Sequence, residues 1–219
     1  MLDEKMAGLK REIVEYANLT ASMIEKAVSG LLARDRAVLT GVIEIDEPKV
    51  NQREIEIDEL CTVLIAQYQP KARDLRAILM TMKMGNDLER MGDHAVNIAE
   101  SGIFLMERPL VKPLIDIPRM GEVTIGMLKD GIQAFIDEDA DLAKSVCERD
   151  SVVDAFRIQI LRELITYMVS DASTIERAMH LIRVSGNLER IADLSTNICE
   201  EVIFMVEGRV IKHHHDEGP

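Results

Sequence analysis

Glu89 and Asp93 stand four residues apart, Glu189 and Asp193 repeat that spacing one hundred residues later, and Asp150 and Asp154 show it again. Glu47 and Asn51 keep it with an amide in the last place. On an α-helix residues i and i+4 share a face, so each pair presents two oxygen-bearing side chains one turn apart. Oxygen donors without sulfur or nitrogen suit hard cations. Iron, Mn²⁺ and Mg²⁺ come first, Zn²⁺ and Ca²⁺ are admissible, and either single ions or small clusters fit. The competing use of such acids is salt bridging, for which Arg90, Arg190, Arg157 and Lys83 are at hand. A single acidic pair is ordinary helix-surface charge, whereas four in a duplicated arrangement favour the cation.

Residues of a helical hairpin are level when they lie equally far from its turn. The turn Ser170-Asp-Ala-Ser173 sets Asp150 level with Asp193 and Asp154 level with Glu189. A turn near Pro70 sets Glu47 level with Asp93 and Asn51 level with Glu89, although a kink at Pro48 would displace Glu47. Glu89, Asp93 and Glu100 fall within about 40° of one another at the helical period. They share their stripe with Ile78, Met82, Val96 and Ile103, while Asp150 and Asp154 run on into Ile158, Leu161, Ile165 and Met168. The acids are therefore expected on a face that is otherwise core-like. Four carboxylates in the second group, against three and an amide in the first, rank the second as the tighter site.

These acids belong to a repeat. Gly85–Phe104 (GNDLERMGDHAVNIAESGIF) aligns with Ser185–Phe204 (SGNLERIADLSTNICEEVIF), with nine of twenty positions identical. Five of the nine are polar: Glu89, Arg90, Asp93, Asn97 and Glu100. A duplication that preserved only a core would keep the apolar set instead.

Around the repeat the apolar residues recur at helical spacing throughout. Leu9, Ile13, Tyr16, Met23, Ala27 and Leu31 mark a first helix. Asp35 caps a second that runs to about Gln69 with a break at Pro48, and a third runs from Lys71 to Glu107. Three prolines between Arg108 and Pro118 mark a linker. Helices over Arg119–Ile136, Asp139–Val169 and Ser173–Glu207 complete the second half. The expected fold is all-α: two tandem three-helix bundles, six helices related by a pseudo-twofold. Residues 1–107 form the first unit, 108–117 the linker, 118–208 the second unit and 209–219 a polar tail. The histidines at 213–215 in that tail read as an end outside the fold, not as ligands.

Composition excludes several function classes. With 47% hydrophobic and 30% charged residues among 219, the chain is globular rather than disordered. A net charge of −13 argues against nucleic-acid binding, which needs a basic face. No apolar run reaches membrane-spanning length and Met1-Leu-Asp-Glu-Lys-Met6 has no export signal, so a cytoplasmic protein is expected. Cys61, Cys147 and Cys199 are widely spaced within helices and read as buried reduced thiols. His180 reads as a packed or surface histidine, and Asn97 and Asn197 as equally suited to supporting the sites or to helix–helix bonding. Di-iron carboxylate enzymes place Glu-x-x-His on two helices. Here Arg and Gly intervene and Asp ends the motif, and no nucleophile–base pair or phosphate-cradling loop appears, so the expectation is a non-enzyme. The residues themselves leave a structural or ion-storing metal protein and a carboxylate-bridged metalloenzyme as classes.

Gln67-Tyr-Gln-Pro-Lys-Ala-Arg-Asp-Leu-Arg76, followed by Asn86-Asp-Leu-Glu-Arg-Met-Gly-Asp-His-Ala-Val-Asn-Ile-Ala-Glu100, resembles the first-repeat signature of the PhoU family. Gly186-Asn-Leu-Glu-Arg-Ile-Ala-Asp-Leu-Ser-Thr-Asn-Ile198 is similar to the second. The resemblance implies two three-helix bundles whose paired E(D)xxxD motifs hold metal ions. Glu89, Asp93, Glu189 and Asp193 match those motifs, Asp150 and Asp154 match the partner-helix motif, and Glu47 and Asn51 match it with an amide. Also implied is a negative regulator of phosphate-starvation genes that is cytoplasmic and homodimeric. Its partners would be the ATPase of a phosphate ABC transporter and a sensor histidine kinase. The second repeat has Ala192 and Leu194 where the first has Gly92 and His94, so His94 is not expected to be one of a symmetric ligand pair.

Overall fold

In the computed structural model, which describes residues 2–208, the chain is a set of helices joined by short turns. The tail from 209, with its histidines, lies outside the described residues. The first half comprises α1 (Leu2–Ala33), α2 (Arg36–Gly41), a π-helical turn (Val42–Asp46), α3 (Glu47–Tyr68) and α4 (Arg73–Met106). The second comprises α5 (Asp116–Asp137), α6 (Ala140–Glu148), α7 (Asp150–Ser170), a 3₁₀ turn (Ala172–Thr174) and α8 (Ile175–Glu207). The middle rod of each half is broken near its start, so each half is three rods and the whole is six, as the repeat implies.

The punctuation is local and repeated. Arg34 and Glu138 take positive φ (55° and 54°) to end α1 and α5. The next residues, Asp35 and Asp139, each accept hydrogen bonds from the second and third N–H groups that follow, capping α2 and α6. From cap to motif the first half counts twelve residues (Asp35 to Glu47) and the second eleven (Asp139 to Asp150). The wide π turn takes up the extra residue. It sits just before Pro48, whose missing N–H and bulky ring could not continue a regular α ladder. In the second half the rod instead breaks at Arg149, between α6 and α7, where an uninterrupted helix is expected from the pattern.

The long helices α4 and α8 run antiparallel through the centre, tied by Lys83 to Glu201 at 2.9 Å and by His94 Nδ1 to Asn187 at 2.9 Å. The rods α1 and α5 pack beside them and meet each other through Lys129 and Glu25. α3 lies outermost against α1 and α4, and α7 outermost against α5 and α8. One continuous apolar core spans both halves. α3 contributes Val50, Ile57, Cys61 and Leu64, all on one stripe; truncating Ile57 to Ala would cost about 2–5 kcal/mol.

The expectation of a core-like acidic face is corrected at α7. Its buried residues are Val153, Ile160 and Leu164, while Ile158, Leu161 and Ile165 are 49%, 39% and 45% exposed. An outermost helix is covered on one flank only, so a broad apolar stripe is half left to solvent. The acids that continue this stripe stand at the rim of a groove and not inside the core.

Candidate metal sites

Register builds each site. Gly92, between Glu89 and Asp93, lets α3 approach α4 closely: a Cβ there would meet Val50 Cγ1 at 2.8 Å. Two turns toward the start of α4 and two along α3, Gly85 faces Ile57. This antiparallel register carries Glu47, Asn51 and Glu54 of α3 past Asp93, Glu89 and Asn86 of α4. Glu47, Glu54 and Glu89 are half-buried there, whereas Asn51, Asn86 and Asp93 are exposed. The pKa of Glu89 is raised, by burial first and then by the negative charges of Asp93, Glu54 and Glu47, with Arg90 opposing. Glu54 was not singled out in the sequence, although it lies seven residues after Glu47 on the same stripe.

The second half repeats the geometry with different charge. Glu189 is buried, Asp193 and Asp150 half-buried, and Asp154 exposed. Burial and then Asp193 raise the pKa of Glu189, with Asp154 adding to it; Asp193 is raised by burial and by Asp154. Here cations intervene. Arg157 donates to Glu189 Oε1 at 3.0 Å, and Arg190 stands 3.4 Å from Asp193 and 3.8 Å from Glu189 Oε2. In the first half, among the described residues, no lysine or arginine comes within ion-pair distance of Glu47, Glu54, Glu89 or Asp93.

Two substitutions between the repeats account for that difference. Glu47 corresponds to Asp150 and Asn51 to Asp154, so Glu54 corresponds to Arg157. The first half has a carboxylate where the second has its neutralising guanidinium. Arg90 and Arg190 are also equivalent, yet Arg90 is drawn to Asp87 at 3.3 Å. The counterpart of Asp87 is Asn187, which is neutral and bonded to His94, so Arg190 turns to Asp193 instead. Arginines thus pair with the motif acids Glu189 and Asp193 of the second half, and none does so with Glu89 or Asp93 among the described residues.

The donor set of the first half fits a hard cation: carboxylates near enough to one another to raise the pKa of Glu89, with no lysine or arginine at ion-pair distance from them among the described residues. Among the described residues no three acidic, histidine or cysteine side chains are already drawn together tightly enough to hold an ion. Mutual repulsion keeps such carboxylates apart until a positive charge gathers them. An open cleft of about 540 Å³ adjoins this groove, lined by Glu54, Asp58 and Asn86 and by Asn197, Glu200 and Glu201 of α8. Asp87 also lines it, and burial pushes its pKa up to about 6.

Tyr16 of α1 is fully buried and its hydroxyl has no hydrogen-bond partner. Burial raises its pKa, followed by the charges of Glu54, Glu89, Asp58 and Asp93. His94 is engaged with Asn187, His180 stacks on Phe104 at 3.8 Å, and Asn97 bonds the carbonyl of Asp93. Cys61 and Cys199 are buried thiols, whereas Cys147 is half-buried and donates to the carbonyl of Thr196 at 4.0 Å.

Comparison with known proteins adds the following. The pattern of the PhoU domain matches residues 13–102 and again 117–202. The phosphate-specific transport system accessory protein PhoU homolog of Aquifex aeolicus (strain VF5) is 40% identical over 214 residues, 98% of this chain and 96% of that protein. The crystal structure of PhoU from Pseudomonas aeruginosa superposes with a TM-score of 0.91 at 34% identity, over 95% of this chain and 100% of that one. The phosphate transport system regulatory protein PhoU from Streptococcus pneumoniae gives a TM-score of 0.90 at 28% identity, over 97% and 100%.

Proposed function

The chain belongs to the PhoU family, and from that premise we propose that it is a metal-binding accessory regulator of phosphate uptake that acts through protein partners. The observation that carries the reading is its end-to-end likeness to a phosphate-specific transport accessory protein, with the Glu89/Asp93 pair repeated as Glu189/Asp193. Its partners are the ATPase of a phosphate ABC transporter and a sensor histidine kinase, and its action is to repress phosphate-starvation genes when phosphate is plentiful. It works as a cytoplasmic homodimer. No helix among the described residues is long and apolar enough to cross a membrane, in keeping with reaching the membrane through partners.

The ions are hard, oxygen-preferring cations such as Mn²⁺, iron or Mg²⁺. Glu47, Asn51, Glu89 and Asp93 hold one centre, with Glu54 beside them; Asp150, Asp154, Glu189 and Asp193 hold the other. Bound, the cation supplies positive charge that lets these carboxylates stay ionised side by side. Motif charge alone ranks the second centre higher. Counting Glu54 in the first groove and Arg157 and Arg190 in the second reverses that order, because an ion entering the second must displace arginines already in place. We therefore place the tighter site in the first half.

Pull-down from cells grown in high and in low phosphate tests the regulatory reading. Association with the transporter ATPase or the kinase that changes with phosphate, and that weakens in Glu89→Gln/Asp93→Asn, is the expected result. A wild-type protein that captures neither component in either condition contradicts it, and would leave an ion-storing protein as the better reading.

A further inference from the structure

A buried hydroxyl without a partner costs about 1–3 kcal/mol, so one that persists beside a charged groove calls for a physical account. α1 runs parallel to α4, since Leu31 packs at Gly102 and Met23 at Gly92. Seven residues back along both helices, Tyr16 comes level with Gly85, which faces Ile57 of α3. The tyrosine therefore enters between α3 and α4 at the turn that carries Glu54 and Asp58 on one side and Asn86 and Glu89 on the other. Its hydroxyl is fully buried and lacks an acceptor.

The second half has no hydroxyl at the matching position. Asp35 matches Asp139 in the capping turn, and that register sets Thr20 against Thr124, Met23 against Met127 and Tyr16 against Met120. Met120 is equally buried but offers a thioether instead of a hydroxyl.

Resting on the metal-binding reading above, we propose that Tyr16 is a further member of the first-half site, a neutral hydroxyl that hydrogen-bonds the oxygen shell of the bound cation from beneath the groove. With a cation bound, Glu54 or Glu89 drawn toward it would give the hydroxyl its missing acceptor. Tyr16 thus positions the ion, and it distinguishes the first site from the second.

Tb³⁺, a hard cation whose emission is sensitised by tyrosine at short range, provides the probe. The chain has no tryptophan, and its other tyrosines, Tyr68 and Tyr167, lie roughly 20 Å along their helices from the acidic motifs. Wild-type protein should bind Tb³⁺ and show strong tyrosine-sensitised emission. Tyr16→Phe should lose most of that emission while directly excited Tb³⁺ remains detectable, and its first-site affinity should fall about threefold or more, the scale of one hydrogen bond. The melting temperature of metal-free Tyr16→Phe should equal or exceed wild type, because the deleted hydroxyl was unsatisfied; a purely structural tyrosine would lower it. Sensitisation and affinity unchanged in Tyr16→Phe would overturn the role of Tyr16 and leave the metal reading standing. Wild-type protein that binds no Tb³⁺ at all would overturn both.

Discussion

At one turn of the middle rod the first repeat carries Glu54 and the second Arg157, and this exchange sets the electrostatics of two otherwise similar grooves. Glu54→Arg should weaken Mn²⁺ binding in the first half by about tenfold or more, and Arg157→Glu should strengthen it in the second by a similar factor. Calorimetric titration of the two variants checks this; unchanged affinities would remove charge balance as the determinant. Asp87 acts from a distance by holding Arg90. Asp87→Asn should release that arginine toward Asp93 and weaken first-site affinity, although Asp87 is not a ligand. The same variant has a pH signature in metal-free protein. The folded pKa of about 6 exceeds the unfolded value of about 4, so the folded state binds this proton more tightly. Stability from this group is present at low pH and lost as pH rises from about 4 to about 6. Asp87→Asn should then be more stable than wild type at pH 7 by about 1–3 kcal/mol and no more stable at pH 4, as urea melts at the two values would show. The motif acids were legible in the sequence as i, i+4 oxygen pairs. Glu54 was legible in principle, one turn farther along the same stripe. Tyr16 and Asp87 were not, because their roles depend on which helix packs at which level and on which carboxylate holds which arginine.

Among the elements, the closeness of α3 to α4 depends on Gly92. Gly92→Ala places a Cβ 2.8 Å from Val50 and should cost about 1–3 kcal/mol by overpacking. Val50→Ala added to it should restore part of the loss, and a double-mutant cycle with no coupling between the two would show that the contact does not set the helix spacing. The six rods, the cap at Asp35 and the level pairing within each hairpin could all be read from periodicity, turn residues and arithmetic on the chain. The break at Arg149 could not, since no proline or glycine marks it. It arises because the second half spends one residue fewer between cap and motif than the first, where the π turn absorbs the difference. Nor could the exposure of Ile158, Leu161 and Ile165 be read, because periodicity shows that a helix has an apolar stripe but not how much of it a neighbour will cover.

For the whole molecule, duplication provides one scaffold with two chemically unequal grooves. α4 and α8 lie antiparallel at the centre with their motifs at about the same level, and each packs against its own outer helix, α3 or α7. The account predicts that the first groove fills before the second. Anomalous diffraction from crystals of metal-stripped protein, grown with limiting Mn²⁺, measures this directly. The predicted result is a strong anomalous peak among Glu47, Asn51, Glu54, Glu89 and Asp93, with a weaker one or none among Asp150, Asp154, Glu189 and Asp193. A dominant peak in the second groove, or Mn²⁺ bound only elsewhere on the molecule, would contradict it.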